Sequence, residues 1–332
     1  MEVNRKTGTA EMRKRSDFLE MTDQFFLVHR ERIPSKGEDS YLVAVNEKAG
    51  IIGAFDGCGG SGAKIYPEFG GKTGAYIASR ILSEVTFDWF EECLKEDEKG
   101  CRFPADILKK AIDGRLDRLK KHGRAGSLLK GSMSKEFPST MAVAVVQSSG
   151  KKLSANFLWS GDSRVYVLTG DGLKQVTEDD LPVTDAMENL RQDAGMTNVV
   201  SASHPYIINE RQLTLDQPCI IFAATDGCFG YLKSPMEFEK LLTGTLLASG
   251  SIAQWENALD DQFRKTAGDD YTLSALILGY GSFPKLKAAY QKRYEYISRA
   301  YPLHPDTTEK ALFDQWEEYR RNYEFYQKRN ET

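Results

Sequence analysis

Acidic residues stand where four apolar, strand-like segments begin or end. IIGAF runs into Asp56 and IIFAAT runs into Asp226, whereas two acidic pairs directly precede SYLVAV and YTLSALIL. In chain order the set is Glu38, Asp39, Asp56, Asp226, Asp269 and Asp270. A single Asp-Gly step of this kind could be a hairpin turn. If the four strand ends converge, however, repulsion between the carboxylates requires a cation, and ligands that are all oxygen favour Mg²⁺ or Mn²⁺. The pattern therefore predicts a divalent-metal site.

The composition is that of an ordinary globular protein and argues against several classes of function. The chain has 332 residues, 41% hydrophobic and 28% charged, with a formal net charge of -4. This gives no electrostatic reason to expect nucleic acid or an anionic membrane as a partner. No apolar run approaches the roughly 20 residues that span a bilayer, and the basic N-terminus lacks the apolar core of a secretory signal. We therefore expect a soluble, cytoplasmic protein.

Cysteine and histidine show no metal-ligand spacing. The five cysteines contain no C-x-x-C pair, which indicates free thiols in a reducing compartment. The four histidines are scattered along the chain, so a histidine-rich zinc site is not expected.

The apolar periodicity predicts short strands interrupted by helices. We expect strands at 25–31, 40–46, 50–55, 140–147, 154–160, 164–168, 219–225 and 272–279. We expect helices at 72–94, 104–122, 184–194, 235–243 and 252–266. The first three strands are too close in sequence for an intervening helix, so they should pair antiparallel. The pattern predicts an α+β fold, an antiparallel β-sandwich flanked by α-helices on both faces in a four-layer αββα order.

The chain divides into a polar N-terminal segment (1–22), a main domain (23–281) and a C-terminal tail (282–332). Two stripes at helical spacing predict a helical hairpin in the tail: Leu286, Tyr290, Tyr294, Ile297 and Tyr301, then Trp316, Tyr319, Tyr323 and Tyr326. Asp306 and Glu309 have capping-box spacing at the start of the second helix. The hairpin either packs on its own domain, or binds a protein partner or a second copy of the chain.

Six sequence blocks occur in an order that resembles a known family. They are GEDS, FDGCGG, PSTMAVAVV, WSGDSRVYVL, ATDGCFGYL and DDYTLSALIL. They are similar to the E-D, D-G-H-G-G, S-T-A, G-D-S-R, S-D-G and D-N-x-T blocks of the metal-dependent type 2C (PPM-type) serine/threonine protein phosphatases. The match runs from about residue 25 to residue 278, and the tail lies outside it. The resemblance implies hydrolysis of phosphoserine or phosphothreonine in proteins by a water activated by two Mg²⁺ or Mn²⁺ ions.

Carried over by position, the resemblance assigns metal-binding roles to five residues. Asp56 would bridge the two ions. Glu38 and the carbonyl of Gly57 would complete the protein ligands of one ion, and Asp226 and Asp269 would hold the other.

Three further acids receive supporting roles from the same resemblance. Asp39 would lie behind the ligands and orient their water. Asp270 stands where the family usually has asparagine and adds negative charge beside the ligands. Asp162, in the G-D-S-R block, is expected to be mainly structural, since a buried turn aspartate commonly caps backbone amides.

Three positions depart from the family pattern. Cys58 replaces the histidine that is thought to protonate the leaving group, and its thiol could either donate a proton or simply be a small residue in a tight turn. Pro34 occupies the slot of the phosphate-binding arginine, for which Arg32 or Lys36 could substitute. Lys135 stands where the acid of a third metal site is expected, which weakens the case for a third ion.

Two glycine-rich segments mimic phosphate-binding motifs. FGGKTG (69–74) resembles a P-loop but has Tyr66 where the motif requires glycine, and GCGGSG (57–62) lacks the G-x-G-x-x-G spacing. Neither predicts a nucleotide site.

The expected function is therefore metal-dependent dephosphorylation of a phosphorylated protein substrate. The alternative is a catalytically weak or inactive scaffold with the same fold that binds phosphoproteins. The missing arginine and histidine equivalents motivate this alternative.

Overall fold

The computed structural model describes residues 17–95, 101–122, 135–149, 152–191, 194–302 and 307–328. Within these residues there are twelve strands: β1 (Thr22–Arg30), β2 (Ser40–Val45), β3 (Ala49–Phe55), β4 (Ile65–Tyr66), β5 (Lys72–Thr73), β6 (Met141–Ser149), β7 (Lys152–Ser160), β8 (Arg164–Thr169), β9 (Gly172–Gln175), β10 (Asn209–Leu215), β11 (Cys219–Ala224) and β12 (Tyr271–Leu278). The same residues form eight α-helices: α1 (Asp17–Met21), α2 (Gly74–Lys95), α3 (Ala105–His122), α4 (Pro235–Ala248), α5 (Ile252–Thr266), α6 (Phe283–Ala300), α7 (Glu309–Tyr323) and α8 (Phe325–Lys328).

Two antiparallel five-stranded sheets stack face to face. Sheet A has the strand order β1-β12-β11-β8-β9, and sheet B has the order β10-β7-β6-β3-β2. Their inner faces share one apolar core, to which sheet B contributes Ile52 and Ala144 and sheet A contributes Ile221 and Leu276. The strands β3, β11 and β12 are buried along their whole length, which explains their uninterrupted apolar sequences.

Helices cover both outer faces, so the predicted helix-flanked β-sandwich is confirmed. The helices α2 and α3 bury Leu82, Trp89 and Leu116 against sheet B. On the other side, α4 and α5 bury Leu242 and Trp255 against sheet A. Among the described residues, no helix is both long enough and apolar enough to cross a membrane.

The predicted pairing of the first three strands is wrong in one respect. The strands β2 and β3 pair antiparallel as expected, but β1 lies at the edge of sheet A and pairs with β12. The reason is that β1 carries Phe26 and Val28, which pack into the core between sheet A and its helices. Proximity in sequence suggested a partner, but burial of these side chains determines the sheet to which β1 belongs.

The helix predicted at 184–194 is also wrong within the described part of that range. Only a single 3₁₀ turn forms there, at Glu188–Leu190. Asp185 Oδ1 accepts hydrogen bonds from the backbone amides of Met187 and Glu188, at 2.9 and 3.0 Å. An aspartate that caps nearby amides in this way offers the backbone an alternative to a continued helix. The other predicted helices form, although α4 continues to Ala248.

The tail packs on its own domain. Its two stripes contribute Tyr290, Ile297, Trp316 and Tyr323 to the same buried cluster as Phe222 of sheet A. Both predicted tail helices are present as α6 and α7, and their apolar faces are covered by the chain itself. Packing of the hairpin on its own domain therefore accounts for the stripes.

The start of α7 differs from the prediction. Thr308 is its N-cap, and the Thr308 side chain accepts a hydrogen bond from the amide of Ala311. The predicted cap, Asp306, lies outside the described residues, as do 1–16 and 123–134. At the other terminus, Phe18 of α1 is fully buried in the core between the sheets.

Candidate metal centre

The acidic strand ends meet at one edge of the sandwich. In sheet B, Ser40 pairs with Phe55, so the acids before β2 and after β3 share an end. In sheet A, Ala224 pairs with Leu273, so the acids after β11 and before β12 also share an end. These ends enclose a cavity of about 560 Å³. The acids that line it are Glu38, Asp56, Asp162, Asp226, Asp269 and Asp270.

These carboxylates destabilise one another's charged forms. Burial, and then the charge of Asp226, raises the pKa of Asp56 well above its ordinary value. Burial and the charge of Asp269 raise the pKa of Asp226 to about 6. Burial also raises the pKa of Glu38, against the opposing effect of a hydrogen bond from Thr73. A cavity with this much negative charge favours a bound cation.

Asp162 has a larger part in the cavity than the sequence indicated. Its Oδ1 is buried and has no hydrogen-bond partner. Burial and the charge of Asp226 raise the pKa of Asp162 to about 7. A buried carboxylate oxygen without a donor is costly, and it faces the same space as the other acids. Asp162, expected to be mainly structural, therefore also contributes an unsatisfied oxygen to the acidic cluster.

The side chains at this edge are of the type that binds a hard divalent cation. Six acidic side chains and one lysine are the charged groups among the described residues that line the cavity. Carboxylate oxygens are the ligands that Mg²⁺ and Mn²⁺ prefer, and Asp162 Oδ1 lacks any other partner. As the side chains stand, no three histidine, cysteine, aspartate or glutamate residues in the described part of the chain form a group that could hold an ion.

Glu38 is held in place by residues that the sequence did not single out. The hydroxyl of Thr73 donates to Glu38 Oε1, and Arg80 Nη1 donates to the Glu38 carbonyl at 3.3 Å. A Cβ at Gly59 would overlap Glu38 Oε2, so glycine at this position lets the carboxylate keep its placement. Thr73 belongs to the FGGKTG segment, so this P-loop lookalike positions an acid. In the sequence, Thr73 is a threonine directly before a predicted helix. That pattern is too common to identify Thr73 as a contact of Glu38.

Asp39 and Asp270 hold the strand ends that carry the other acids. Asp39 is buried, and its Oδ2 accepts from the hydroxyls of Thr225 and Thr272 at 2.8 Å each. Burial raises the pKa of Asp39 to about 8, against the effect of these two bonds. Asp270 Oδ2 accepts from the amide of Glu38 at 2.7 Å. Both acids therefore fix the backbone around the cavity.

Cys58 lines the cavity with its thiol protonated. Burial raises the pKa of Cys58 well above its ordinary value, the charges of Asp56 and Asp162 add to this, and Lys135 opposes it. Its Sγ lies 3.9 Å from the backbone oxygen of Asp56. Cys58, Cys219 and Cys228 are free thiols.

Of the three cationic residues discussed from the sequence, only one lines the cavity. Arg32 and Lys36 lie on the exposed loop before Glu38, outside the cavity lining. Lys135 lines the cavity. From sequence, Lys135 was expected only to replace an acidic ligand of a third ion. Its alignment with a ligand position was, however, a signal that its side chain faces the centre.

A second cavity of about 510 Å³ adjoins the first and shares Asp162, Asp226 and Asp269 with it. Tyr231 also lines it. Residues 179–191, which we call the wall segment, contribute Asp179, Leu181, Asn189, Leu190 and Arg191 to its lining. Arg164, which follows the Asp162 turn, makes a buried bidentate ion pair with Asp179 of this segment, at 2.9 and 2.6 Å. The acidic cavity therefore continues into a second cavity that the wall segment lines.

Solved phosphatase structures share this fold. A bacterial serine phosphatase has a TM-score of 0.56 and 18% identity, and the match covers 79% of this chain and 99% of that one. For the serine/threonine phosphatase PstP of Mycobacterium tuberculosis the values are 0.54 and 15%, with 77% and 98% covered. For the PPM Ser-Thr phosphatase MsPP of Mycobacterium smegmatis, solved with cacodylate, they are 0.53 and 12%, with 78% and 100% covered. No protein-family model and no curated protein matches the sequence.

The comparisons establish the class of fold. The chain has the fold of the PPM-type serine/threonine phosphatases, as its sequence blocks suggested. At 12–18% identity the likeness concerns the fold alone.

Proposed function

We propose that this chain hydrolyses phosphoserine and phosphothreonine in proteins with the help of Mg²⁺ or Mn²⁺. The observation that carries the proposal is the cavity at the sandwich edge, where six acidic side chains converge and one buried carboxylate oxygen has no partner. The similarity of the fold to serine/threonine phosphatases supports it.

The proposed ligands lie beside strands of both sheets. Glu38, Asp56 and the carbonyl of Gly57 come from sheet B, and Asp226 and Asp269 come from sheet A. We include Asp162 as a further oxygen donor because its Oδ1 is unsatisfied. Two cations bound in such a site lower the pKa of a bound water and neutralise charge on the phosphoryl group.

The remaining residues handle the phosphate and the leaving group. We assign Lys135 as the cation that faces the phosphate, since it lines the cavity, and it acts as a point charge rather than as a bidentate clamp. Arg32 and Lys36 are assigned to the exposed loop at the mouth, as contacts for the phosphorylated protein. Cys58 is assigned as the proton donor to the leaving serine or threonine oxygen.

The proposal is tested by hydrolysis of a phosphothreonine peptide with added Mn²⁺. Asp56→Asn should lower kcat by roughly 100-fold or more, because it removes central electrostatic stabilisation, and excess chelator should abolish turnover. Asp106→Asn, an exposed position on α3, is the matched control and should behave as wild type. Undiminished turnover in Asp56→Asn or in chelator would overturn the proposal. Tight Mn²⁺ binding without turnover in the wild type would instead favour the phosphoprotein-binding scaffold.

A further inference from the structure

The tail helix α7 contacts the wall segment, although the tail lies outside the phosphatase-like region. The indole Nε1 of Trp316 donates to Asp185 Oδ1 and Oδ2, at 3.1 and 3.0 Å. Arg320 of the same helix places its Nη1 2.8 Å from Asp185 Oδ2. Trp316 is fully buried, so α7 holds this aspartate with a rigid, desolvated donor.

Asp185 also contacts the backbone of the wall segment. Its Oδ1 also accepts from the amides of Met187 and Glu188, at the start of the 3₁₀ turn of the segment. One carboxylate therefore joins α7 to the backbone of the turn. Without it, the turn would lose the side chain that caps it.

A second contact joins α7 to the side of the wall segment that faces the cavity. The guanidinium carbon of Arg191 lies 4.7 Å from the centre of the Phe313 ring. Arg191 Nη1 lies 3.6 Å from Glu309, which is exposed and therefore adds little. Arg191 lines the cavity that contains Asp226 and Asp269. The tail helix thus touches a residue that faces the metal centre.

The other end of the wall segment is fixed by the main domain. Asp179 pairs with the buried Arg164, and Asn189 Nδ2 donates to Asp179 Oδ2 at 2.9 Å. Between these supports the segment has only one short 3₁₀ turn. A segment with so little regular structure needs side-chain contacts to hold one conformation, because ordering each residue costs conformational entropy.

We propose that α7 is a positioning element for substrate binding. Through Trp316 and Asp185 it fixes the wall segment, against which a phosphorylated protein lies beside the metal centre. The tail therefore controls the affinity for protein substrates and leaves the hydrolysis of small phosphate esters unchanged. The proposal rests on the proposed phosphatase function and adds a positioning role for residues that contact neither metal nor phosphate. Preorganisation of this kind improves binding because less entropy is lost when the substrate docks.

The test compares two substrates in Trp316→Phe and in a matched control. Trp316→Phe removes the indole donor but keeps an aromatic ring. Asn322→Ala removes another hydrogen bond of α7, from Asn322 Nδ2 to the carbonyl of Asp171, which lies outside the wall segment. We expect kcat/KM for a phosphothreonine peptide to fall roughly 10-fold in Trp316→Phe, mainly through KM, as expected for loss of a hydrogen bond to a charged group. Para-nitrophenyl phosphate turnover should change by less than about twofold, and Asn322→Ala should match wild type on both substrates.

Hydrogen exchange gives a readout that does not require activity. The amides of Met187 and Glu188 should exchange faster in Trp316→Phe and in Asp185→Ala than in wild type or Asn322→Ala. Asp185→Ala serves as the second variant if Trp316→Phe folds poorly. Equal kinetic losses on both substrates, or unchanged exchange at these amides in Trp316→Phe, would overturn the inference. A wild type inactive on both substrates would overturn the proposed function alone, and exchange would still decide whether α7 holds the wall segment.

Discussion

At the scale of single residues, Cys58 is a protonated thiol among carboxylates. Burial and the charges of Asp56 and Asp162 hold the pKa of Cys58 well above its usual range. A group with such a pKa keeps its proton at neutral pH, and the alkoxide that leaves a phosphoserine is a stronger base than a thiolate. Under the proposed function, this thiol is the group that protonates the leaving oxygen.

Replacing this thiol should affect substrates according to their leaving groups. Cys58→Ser should lower the hydrolysis of a phosphoserine peptide by roughly 100-fold, the usual size of a general-acid contribution. Para-nitrophenyl phosphate, whose leaving group needs no proton, should be hydrolysed almost as fast as by wild type. Steady-state kinetics on both substrates measures the difference, and Mn²⁺ titration by calorimetry checks that the metal centre is intact. Equal losses on both substrates would show that Cys58 only packs in its turn.

Residues differ in how far the sequence could reveal them. Asp56 and Asp226 were identified because each directly follows an apolar strand, so their place depends on local structure alone. Thr73 contacts Glu38, and Lys135 lines the cavity, from segments distant in sequence. Asp162 was expected to have a mainly structural role in its turn. That its Oδ1 lacks a hydrogen-bond donor becomes visible only in the folded structure.

At the scale of elements, an apolar sequence predicts that a strand is buried, but it does not predict which strand lies beside it. The fully buried strands β3, β11 and β12 were recognised from their composition. The polar edge strands β9 and β10 were missed, since GLKQ and NERQLTL carry no alternating apolar pattern. The strand β1 was recognised, but its partner depends on tertiary packing.

The tail is fastened to the main domain by a buried ion pair. Arg293 of α6 donates to both carboxylate oxygens of Glu239 on α4, at 2.6 and 3.0 Å. Tyr319 of α7 donates to the same carboxylate at 2.6 Å. Glu239 is fully buried. One carboxylate therefore joins both tail helices to the helix layer of sheet A.

Breaking this pair from one side should be costly. Arg293→Met leaves Glu239 buried without its cation, so we expect the free energy of unfolding to fall by about 3 kcal/mol. The double variant Arg293→Met/Glu239→Leu should recover part of the loss, because no uncompensated charge remains. Urea denaturation of both variants measures the effect. Arg115→Met, which breaks a partly exposed pair with Glu84, is the control and should change stability by less than about 1 kcal/mol. A single variant as stable as this control would contradict the assignment.

At the scale of the whole molecule, the acidic cavity lies where the strand ends of the two sheets meet. The net charge of -4 is small, yet six acidic side chains line one cavity. Glu38 and Asp56 belong to sheet B, and Asp226 and Asp269 belong to sheet A. Without a cation, repulsion acts across the interface between the sheets. Metal binding should therefore affect the stability of the entire fold as well as catalysis.

Thermal unfolding should show this dependence directly. A ligand at about 100 times its Kd stabilises the folded state by roughly 2.7 kcal/mol, which for a chain of this size corresponds to an increase in Tm of about 4 °C. We expect Mn²⁺ to produce such an increase in the wild type and excess chelator to reverse it. Asp226→Asn removes one of the repelling charges, so its metal-free Tm should exceed that of the wild type, while its Mn²⁺-dependent increase should largely disappear. The exposed control Asp106→Asn should keep the wild-type response. Calorimetric scans with and without Mn²⁺ make the comparison. An equal response to Mn²⁺ in wild type and Asp226→Asn would place metal binding elsewhere in the molecule, because a centre that joins the two sheets cannot lose this carboxylate without losing its effect on stability.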